Sequence, residues 1–187
     1  MKRKLLALIS TALVAVLCAV CLYACGKNSG GLKFTSTEDG YEISGAESRS
    51  ISRAEIPAEH DGKPVTAISA SAFDSCGLLA EVYIPESVKF IGASAFYCCR
   101  SLTAVDIPDG VTTVGEWAFG GCTSLESVAL PESVTDVNAN AFKYCRALCE
   151  INYSGTCTQW SAVTKKAGWN YGTGEYVVHC ADGDIQK

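Results

Sequence analysis

The amino-acid sequence predicts a solenoid, α/β or mainly β, in which a right-handed stack of about four to five coils lies between an N-terminal and a C-terminal cap. Two observations predict this fold. Several side-chain types return every 23 residues between residues 56 and 153, and a unit this short buries its apolar residues only by stacking on its neighbours. Each unit also alternates apolar and polar residues over a few positions, which is typical of a strand with one buried face.

Residues 1–24, which precede the solenoid, are typical of an export signal because a basic start leads into mainly apolar residues without an acidic side chain. Ala24 before Cys25 and Gly26 after it resemble a bacterial lipoprotein signal. The resemblance implies cleavage before Cys25, lipidation of its thiol, and a tether over residues 25–31. An uncleaved membrane span is the alternative. Both interpretations place the rest of the chain outside the cytoplasmic membrane, held there by a lipid or by the span.

The charge of the chain argues against nucleic acid as a partner. The full sequence has 15 Lys and Arg against 20 Asp and Glu, and the predicted signal carries three of the basic residues and none of the acidic ones. The mature chain therefore has 12 basic and 20 acidic side chains, a net charge of −8. Binding to phosphate backbones requires a basic surface.

Residues 32–55 are predicted to cap the N-terminal end, since the ends of a solenoid expose apolar edges. They include "EDGYEISG", which predicts a hairpin that turns at the Asp-Gly pair. Residues 154–187 are predicted to cap the other end, where the repeat is lost. In this cap "TQWSAVTKKAG" predicts a short helix and "EYVVHC" a closing strand, with Trp160 and Trp169 placed to cover the last coil.

Between the caps, residues 56–153 carry six columns of side chains with one 23-residue step. Two of these columns are predicted to form a structural ladder: Phe73, Phe96, Phe119 and Phe142, and Cys76, Cys99, Cys122 and Cys145. One unit is L-x-x-V-x-I-P-x-x-V-x-x-I-G-x-x-A-F-x-x-C, which predicts two short extended pieces and a compact turn that directs the phenylalanine inward. Gly92 and Gly115 are expected to permit the turn after the second piece.

These units resemble the BspA-type leucine-rich repeat, a bacterial surface class with the same period, in "IPESVKFIGASAFYCCRSLTAV", "IPDGVTTVGEWAFGGCTSLESV" and "LPESVTDVNANAFKYCRALCEI". Departures are few; Ser69 and Asn138, for example, replace the repeat glycine. The resemblance implies a cell-surface protein that adheres to host matrix proteins or to other cells. It implies no cofactor.

The cysteine ladder invites a zinc interpretation, which its geometry opposes. Zinc requires ligands that converge on one point, whereas residues one coil apart form a row with steps of about 4.8 Å. We therefore expect buried, structural thiols that donate weak hydrogen bonds to turn carbonyls. Cys98 precedes a ladder position and is expected to point elsewhere, outward. A disulfide between Cys157 and Cys180 and unpaired thiols at both positions are the two alternatives for the C-terminal cap.

The sequence contains no motif that indicates a catalytic or a metal site. The chain has two histidines, His60 and His179, and none of the common hydrolase, phosphate-loop or zinc-protease motifs. The one arrangement that can be drawn is a Cys157 or Cys180 nucleophile with His179 as its base, and the sequence supplies neither an orienting group nor an oxyanion donor. We therefore predict no enzyme, no metal and no cofactor, with a thiol enzyme as a remote alternative.

Variable positions between the buried columns are the candidates for binding. Solenoids bind through such positions because neighbouring coils align them on one sheet. The predicted binding surface comprises Tyr83, Asp106 and Asn152 on one strand face and Lys89, Phe90, Thr113 and Asp136 on the other. The expected partner is a protein or glycan of the host matrix, of other cells or of the bacterium's own envelope. The alternative function is a structural or accessory scaffold of the envelope.

Overall fold

The computed structural model describes residues 31–187, which fold into a solenoid of short strands. The predicted signal peptide, the predicted lipidation site Cys25 and most of the predicted tether fall on residues 1–30 and lie outside the described residues. Within residues 31–187, no helix has the length and apolar character needed to cross a membrane. The same residues contain one α-helix, α1 (Cys157–Ala162), and otherwise strands and turns, so the fold is a mainly-β solenoid.

The strands are short, and each has two to six residues. In chain order they are β1 (Leu32–Ser36), β2 (Tyr41–Ala46), β3 (Arg53–Glu55), β4 (Glu59–His60), β5 (Lys63–Ile68), β6 (Glu81–Tyr83), β7 (Phe90–Ile91), β8 (Ala104–Asp106), β9 (Thr113–Val114), β10 (Ser127–Leu130), β11 (Asp136–Val137), β12 (Glu150–Tyr153), β13 (Thr164–Lys165), β14 (Val177–Cys180) and β15 (Gly183–Gln186).

Two sheets run along the stack: each coil contributes one strand to the first, and the coils from β7 onward contribute one strand to the second. The first sheet has the order β1-β2-β5-β7-β9-β11-β13, with β4 paired to β5, and the second has the order β8-β10-β12-β14-β15. A two-stranded sheet of β3 and β6 lies beside β8. Pairings between successive coils are parallel, whereas β1 with β2, β4 with β5 and β14 with β15 form antiparallel pairs.

The stack has about six coils, more than the four to five predicted, since six parallel strands follow one another from β2 to β13. The sequence count was low because the first and last coils lack the Ala-Phe-x-x-Cys motif. Backbone hydrogen bonds continue the ladder without it: Lys166 N–H donates to Val137 O at 2.9 Å, and Phe142 N–H donates to Trp169 O at 2.7 Å. At the C-terminal end the repeated side-chain pattern is therefore lost, while the hydrogen bonding between the main chains of successive coils continues.

The core is a row of identical layers. The four repeat phenylalanines are fully buried, and their ring centroids are 5.1, 5.2 and 5.4 Å apart along the stack. Trp169 closes the row by meeting Phe142 edge-on at 6.4 Å, and Trp160 packs against Trp169 at 6.1 Å. Helix α1 holds Trp160 in place and begins with a capping box, in which the Thr156 hydroxyl accepts from the Gln159 N–H. At the other end the predicted hairpin is present as β1 and β2.

The repeat glycines serve a purpose different from the one expected. Gly92 and Gly115 do not adopt positive φ; a Cβ on Gly92 would lie 2.5 Å from Ala70 N, and one on Gly115 would lie 2.7 Å from Gly92 O. Glycine is therefore needed where successive main chains approach closely. The turns instead use left-handed residues that are not all glycine, in two columns: Ser71, Ser94, Trp117 and Asn140, and Ser75, Cys98, Gly121 and Tyr144.

Candidate binding faces

The ladder cysteines lie inside the solenoid, where their thiols donate to main-chain carbonyls. Each of the last three donates to the phenylalanine carbonyl of the preceding coil: Cys99 Sγ to Phe73 O at 3.2 Å, Cys122 Sγ to Phe96 O at 3.1 Å, and Cys145 Sγ to Phe119 O at 3.1 Å. Each of these carbonyls also accepts a main-chain N–H within its own turn, such as that of Cys76 at Phe73 O, so the thiol of the next coil adds a second hydrogen bond to the same oxygen. In the part of the chain that the structure describes, no group of three His, Cys, Asp or Glu side chains is arranged to hold a metal ion.

Burial keeps these thiols protonated. Burial raises the pKa of Cys145 to about 12, and a hydrogen bond with the backbone of Cys122 opposes this rise. Burial likewise raises the pKa of Cys99 and of Cys122 well above the ordinary value, and the neighbouring ladder thiols add to the effect. A protonated thiol is a poor nucleophile and a poor metal ligand.

Cys157 and Cys180 lie together in the C-terminal region as free thiols. Desolvation, a hydrogen bond to the Cys180 thiol and the nearby Asp182 carboxylate raise the pKa of Cys157 to about 12. The Asp182 carboxylate in turn accepts the Cys157 N–H at 2.7 Å. Neither neighbour generates a thiolate, so this pair lacks the electropositive surroundings of a catalytic cysteine.

His179 has an orienting partner that the sequence did not reveal. Its Nδ1 lies 2.9 Å from Asp184 Oδ1, across the antiparallel pair of β14 and β15. Cys180 follows His179 on the same strand and packs against the core, whereas successive side chains of a strand point to opposite faces. The imidazole and this thiol are therefore on different sides of β14 and do not form a nucleophile and base.

A row of side chains, here called the strand row, crosses the second sheet with one member per coil. In the parallel register Asp106 pairs with Ala129, Ala129 with Asn152, and Asn152 with His179, while Tyr83 on β6 stands at the N-terminal end with 58% of its surface exposed. Ala129, Asn152 and His179 line a shallow trough of about 410 Å³ on this face. The structure therefore aligns two of the three residues predicted on this face, Asp106 and Asn152, and adds His179. Tyr83 lies on β6, in the separate two-stranded sheet beside β8.

The other four predicted residues lie on the first sheet and form a separate row. Phe90 is 55% exposed there, and Asp136 pairs with Thr113 in the register and accepts a hydrogen bond from Thr135 at 2.8 Å. Lys89 is engaged within the protein, since its Nζ donates to Glu86 O at 2.7 Å and to the Asp109 carbonyl at 2.8 Å. Lys89 thus joins two turns, and its ammonium is not directed at a ligand.

The turn edge of the solenoid carries a further cluster that the predicted surface did not include. Lys143 Nζ lies 4.8 Å from the ring centroid of Trp117, 5.3 Å from that of Tyr144 and 5.5 Å from that of Tyr171. Next to these rings a cleft of about 390 Å³ opens, here called the edge cleft, with Tyr97, Arg100, Gly121, Thr123, Tyr144 and Arg146 among its lining residues. The 23-residue spacing of Arg100, Thr123 and Arg146 was the signal in the sequence that would have placed them together.

Comparison with known proteins settles the family. The profile described as "BspA type Leucine rich repeat region" matches residues 47–164 in six copies. The chain belongs to the BspA-type leucine-rich repeat family. The six copies of the BspA-type repeat agree with the six coils of the stack. No curated protein matches the chain.

Solved structures show the same fold. A leucine-rich repeat protein from Bacteroides ovatus is 29% identical over 70% of this chain and 35% of its own, with a TM-score of 0.60. A leucine rich cell surface protein from Faecalibacterium prausnitzii is 33% identical over 73% of this chain and 41% of its own, with a TM-score of 0.55. The T. pallidum leucine-rich repeat protein is 24% identical over 68% of this chain and 71% of its own, with a TM-score of 0.57. This BspA-type chain spans only about a third to two fifths of the first two proteins.

Proposed function

We propose that the protein is a non-enzymatic binding protein of the bacterial cell surface, which contacts an extended protein or glycan through the strand row. The observation that carries the proposal is the register of the second sheet, which aligns Asp106, Asn152 and His179 as exposed polar groups beside the Ala129 trough. Side chains in register on adjacent coils present a continuous surface to a long ligand, and repeat proteins commonly bind in this way.

Placement at the cell surface is part of the same proposal. It is supported by the lipoprotein-like sequence around Cys25, by the family, and by the F. prausnitzii relative, which is described as a cell surface protein. A lipid on Cys25 would anchor the domain to the cell membrane, and the intact mass of the membrane-extracted protein tests this directly. About six coils offer a short face, so each contact is expected to be weak and multivalent presentation on a cell to supply the avidity.

The proposal is tested by binding of the purified protein to immobilised host matrix proteins, glycans and envelope fractions. Asp106→Lys reverses a charge within the row and is expected to lower binding to the ligand that the panel identifies. Glu59→Lys makes the same charge change on β4, away from the row, and is expected to leave that binding intact. Phe90→Ala reports whether the first sheet takes part.

Equal binding by Asp106→Lys and the parent protein would overturn the strand-row assignment. Equal loss in Glu59→Lys would do the same, because it would reveal an effect of net charge alone. Co-purification of both variants with an envelope complex, without binding to any matrix protein or glycan, would instead support the scaffold function.

A further inference from the structure

We infer that the edge cleft binds an acidic saccharide, whose carboxylates pair with the guanidinium groups of Arg100 and Arg146 while its rings pack on the neighbouring aromatic side chains. This inference names a ligand class for the proposed binding function and rests on it, but it uses a surface outside both sheets.

The shape of the cleft follows from Gly121. This residue occupies the left-handed column in which the preceding and following coils carry Cys98 and Tyr144, so one coil lacks a side chain between two that have one. The walls are the side chains one coil before and one coil after, and exposed Thr123 lies between Arg100 and Arg146. The resulting volume of about 390 Å³ lies within the range of roughly 300–1,000 Å³ that ligand pockets occupy.

The charge of the cleft is opposite to that of the chain. The sequence carries a net charge of −5, yet the turn segments 93–102, 116–125 and 139–148 contain Arg100, Lys143 and Arg146 against one acidic residue, Glu116. Within residues 31–187 neither arginine takes part in an ion pair. Guanidinium groups recognise carboxylates through paired, charge-assisted hydrogen bonds, so two unpaired ones beside a cleft favour an anionic ligand.

The aromatic wall distinguishes a saccharide from other anions. Tyr97 and Tyr144 line the cleft. Tyr97 meets Trp117 edge-on at 5.6 Å, Tyr144 meets Tyr171 at 5.9 Å, and the Lys143 ammonium packs against Trp117, Tyr144 and Tyr171. Packing of this kind holds the rings in place before a ligand arrives. The face of an aromatic ring is electron-rich and attracts the C–H groups of a sugar ring. An acidic peptide would use the guanidinium groups but would gain little from these faces.

The test measures, by titration calorimetry, the binding of oligogalacturonate to the full-length protein. A neutral galactose oligomer and poly-glutamate are titrated in the same way for comparison. We expect oligogalacturonate to bind and the other two to bind at least about tenfold more weakly. Arg100→Gln and Arg146→Gln are each expected to weaken oligogalacturonate binding about tenfold. Tyr144→Ala is expected to weaken it as well, while Tyr144→Phe, which keeps the ring, retains it. The matched control is Lys63→Gln, which removes one positive charge from exposed Lys63 on β5.

The inference is overturned if oligogalacturonate does not bind, if Lys63→Gln weakens binding as much as the arginine variants, or if poly-glutamate binds equally well. The last result would assign the cleft to acidic peptides. These failures are distinguishable from failure of the proposed function, because the panel experiment is decided by Asp106 on the second sheet and not by the arginine variants.

Discussion

Replacement of Cys99 by serine tests the structural role assigned to the ladder. The Cys99 side chain is fully buried, and its thiol donates to Phe73 O at 3.2 Å. A C–O bond is shorter than a C–S bond, so a serine hydroxyl at this position would stand farther from the carbonyl than the roughly 2.5–3.0 Å that an O–H···O bond prefers. A buried hydroxyl without a good partner costs about 1–3 kcal/mol, and this is the loss of unfolding free energy expected for Cys99→Ser.

The adjacent residue supplies the matched control. Cys98 is half-buried, makes no ladder hydrogen bond, and occupies a left-handed column in which Ser75 already stands with a φ of 60°. Cys98→Ser therefore introduces a residue that this column accommodates elsewhere, and the expected change is within about 0.5 kcal/mol.

Urea unfolding followed by circular dichroism measures both variants, and the shift in midpoint at constant slope gives the change in free energy. The reasoning is refuted if Cys98→Ser destabilises the protein as much as Cys99→Ser, or if Cys99→Ser has no effect.

Two further predictions concern the turns and the thiols. Gly121→Ala places a Cβ at a φ of 74° and 2.9 Å from Cys98 Sγ, so a loss of about 1–2 kcal/mol is expected in thermal unfolding; an unchanged midpoint would contradict the left-handed turn. Cys145, whose pKa burial raises to about 12, stays protonated in the folded state while the unfolded thiol ionises above pH 9. Its contribution is complete below pH 9 and is lost as the pH rises towards 12, by about 1.4 kcal/mol per pH unit. Cys145→Ala is expected to remove that increment from the alkaline slope, and an identical slope in the variant would count against the burial of this thiol.

The sequence predicted the core well because buried positions recur with the coil. A column such as that of Phe96 and Phe119 needs the same side chain in each layer, and the stacked rings fill the same space every time. The coil number was underestimated since hydrogen bonds between main chains continue the stack without the motif, as at Trp169. The sequence did not predict His179 as a member of the strand row for a related reason. His179 follows Asn152 by 27 residues, and only the pairing of β12 with β14 brings the two residues together.

The binding surfaces were harder to predict than the core. Exposed positions are free of packing constraints, so the sequence does not reveal whether a polar side chain is available. Lys89 was predicted as a contact residue, yet two carbonyls occupy its ammonium. The edge cleft depends on the absence of a side chain at Gly121 and on the directions of the flanking rings, which follow from the left-handed turns and not from hydrophobic periodicity.

The central claim is that neighbouring coils align side chains into rows. A metal site formed by two histidines on adjacent strands of the strand row tests this claim most directly. Asn152→His places a second imidazole beside His179, its partner in the parallel register, about 4.8 Å away along the stack. Ni²⁺ bound by the folded state alone should stabilise this variant by about 2.7 kcal/mol at 100 times its Kd, measured as a rise in the urea midpoint. Tyr83→His, far along the row, is the control and should show no such rise. Absence of the rise in Asn152→His, or an equal rise in the control, would contradict the alignment on which the proposed binding surface depends.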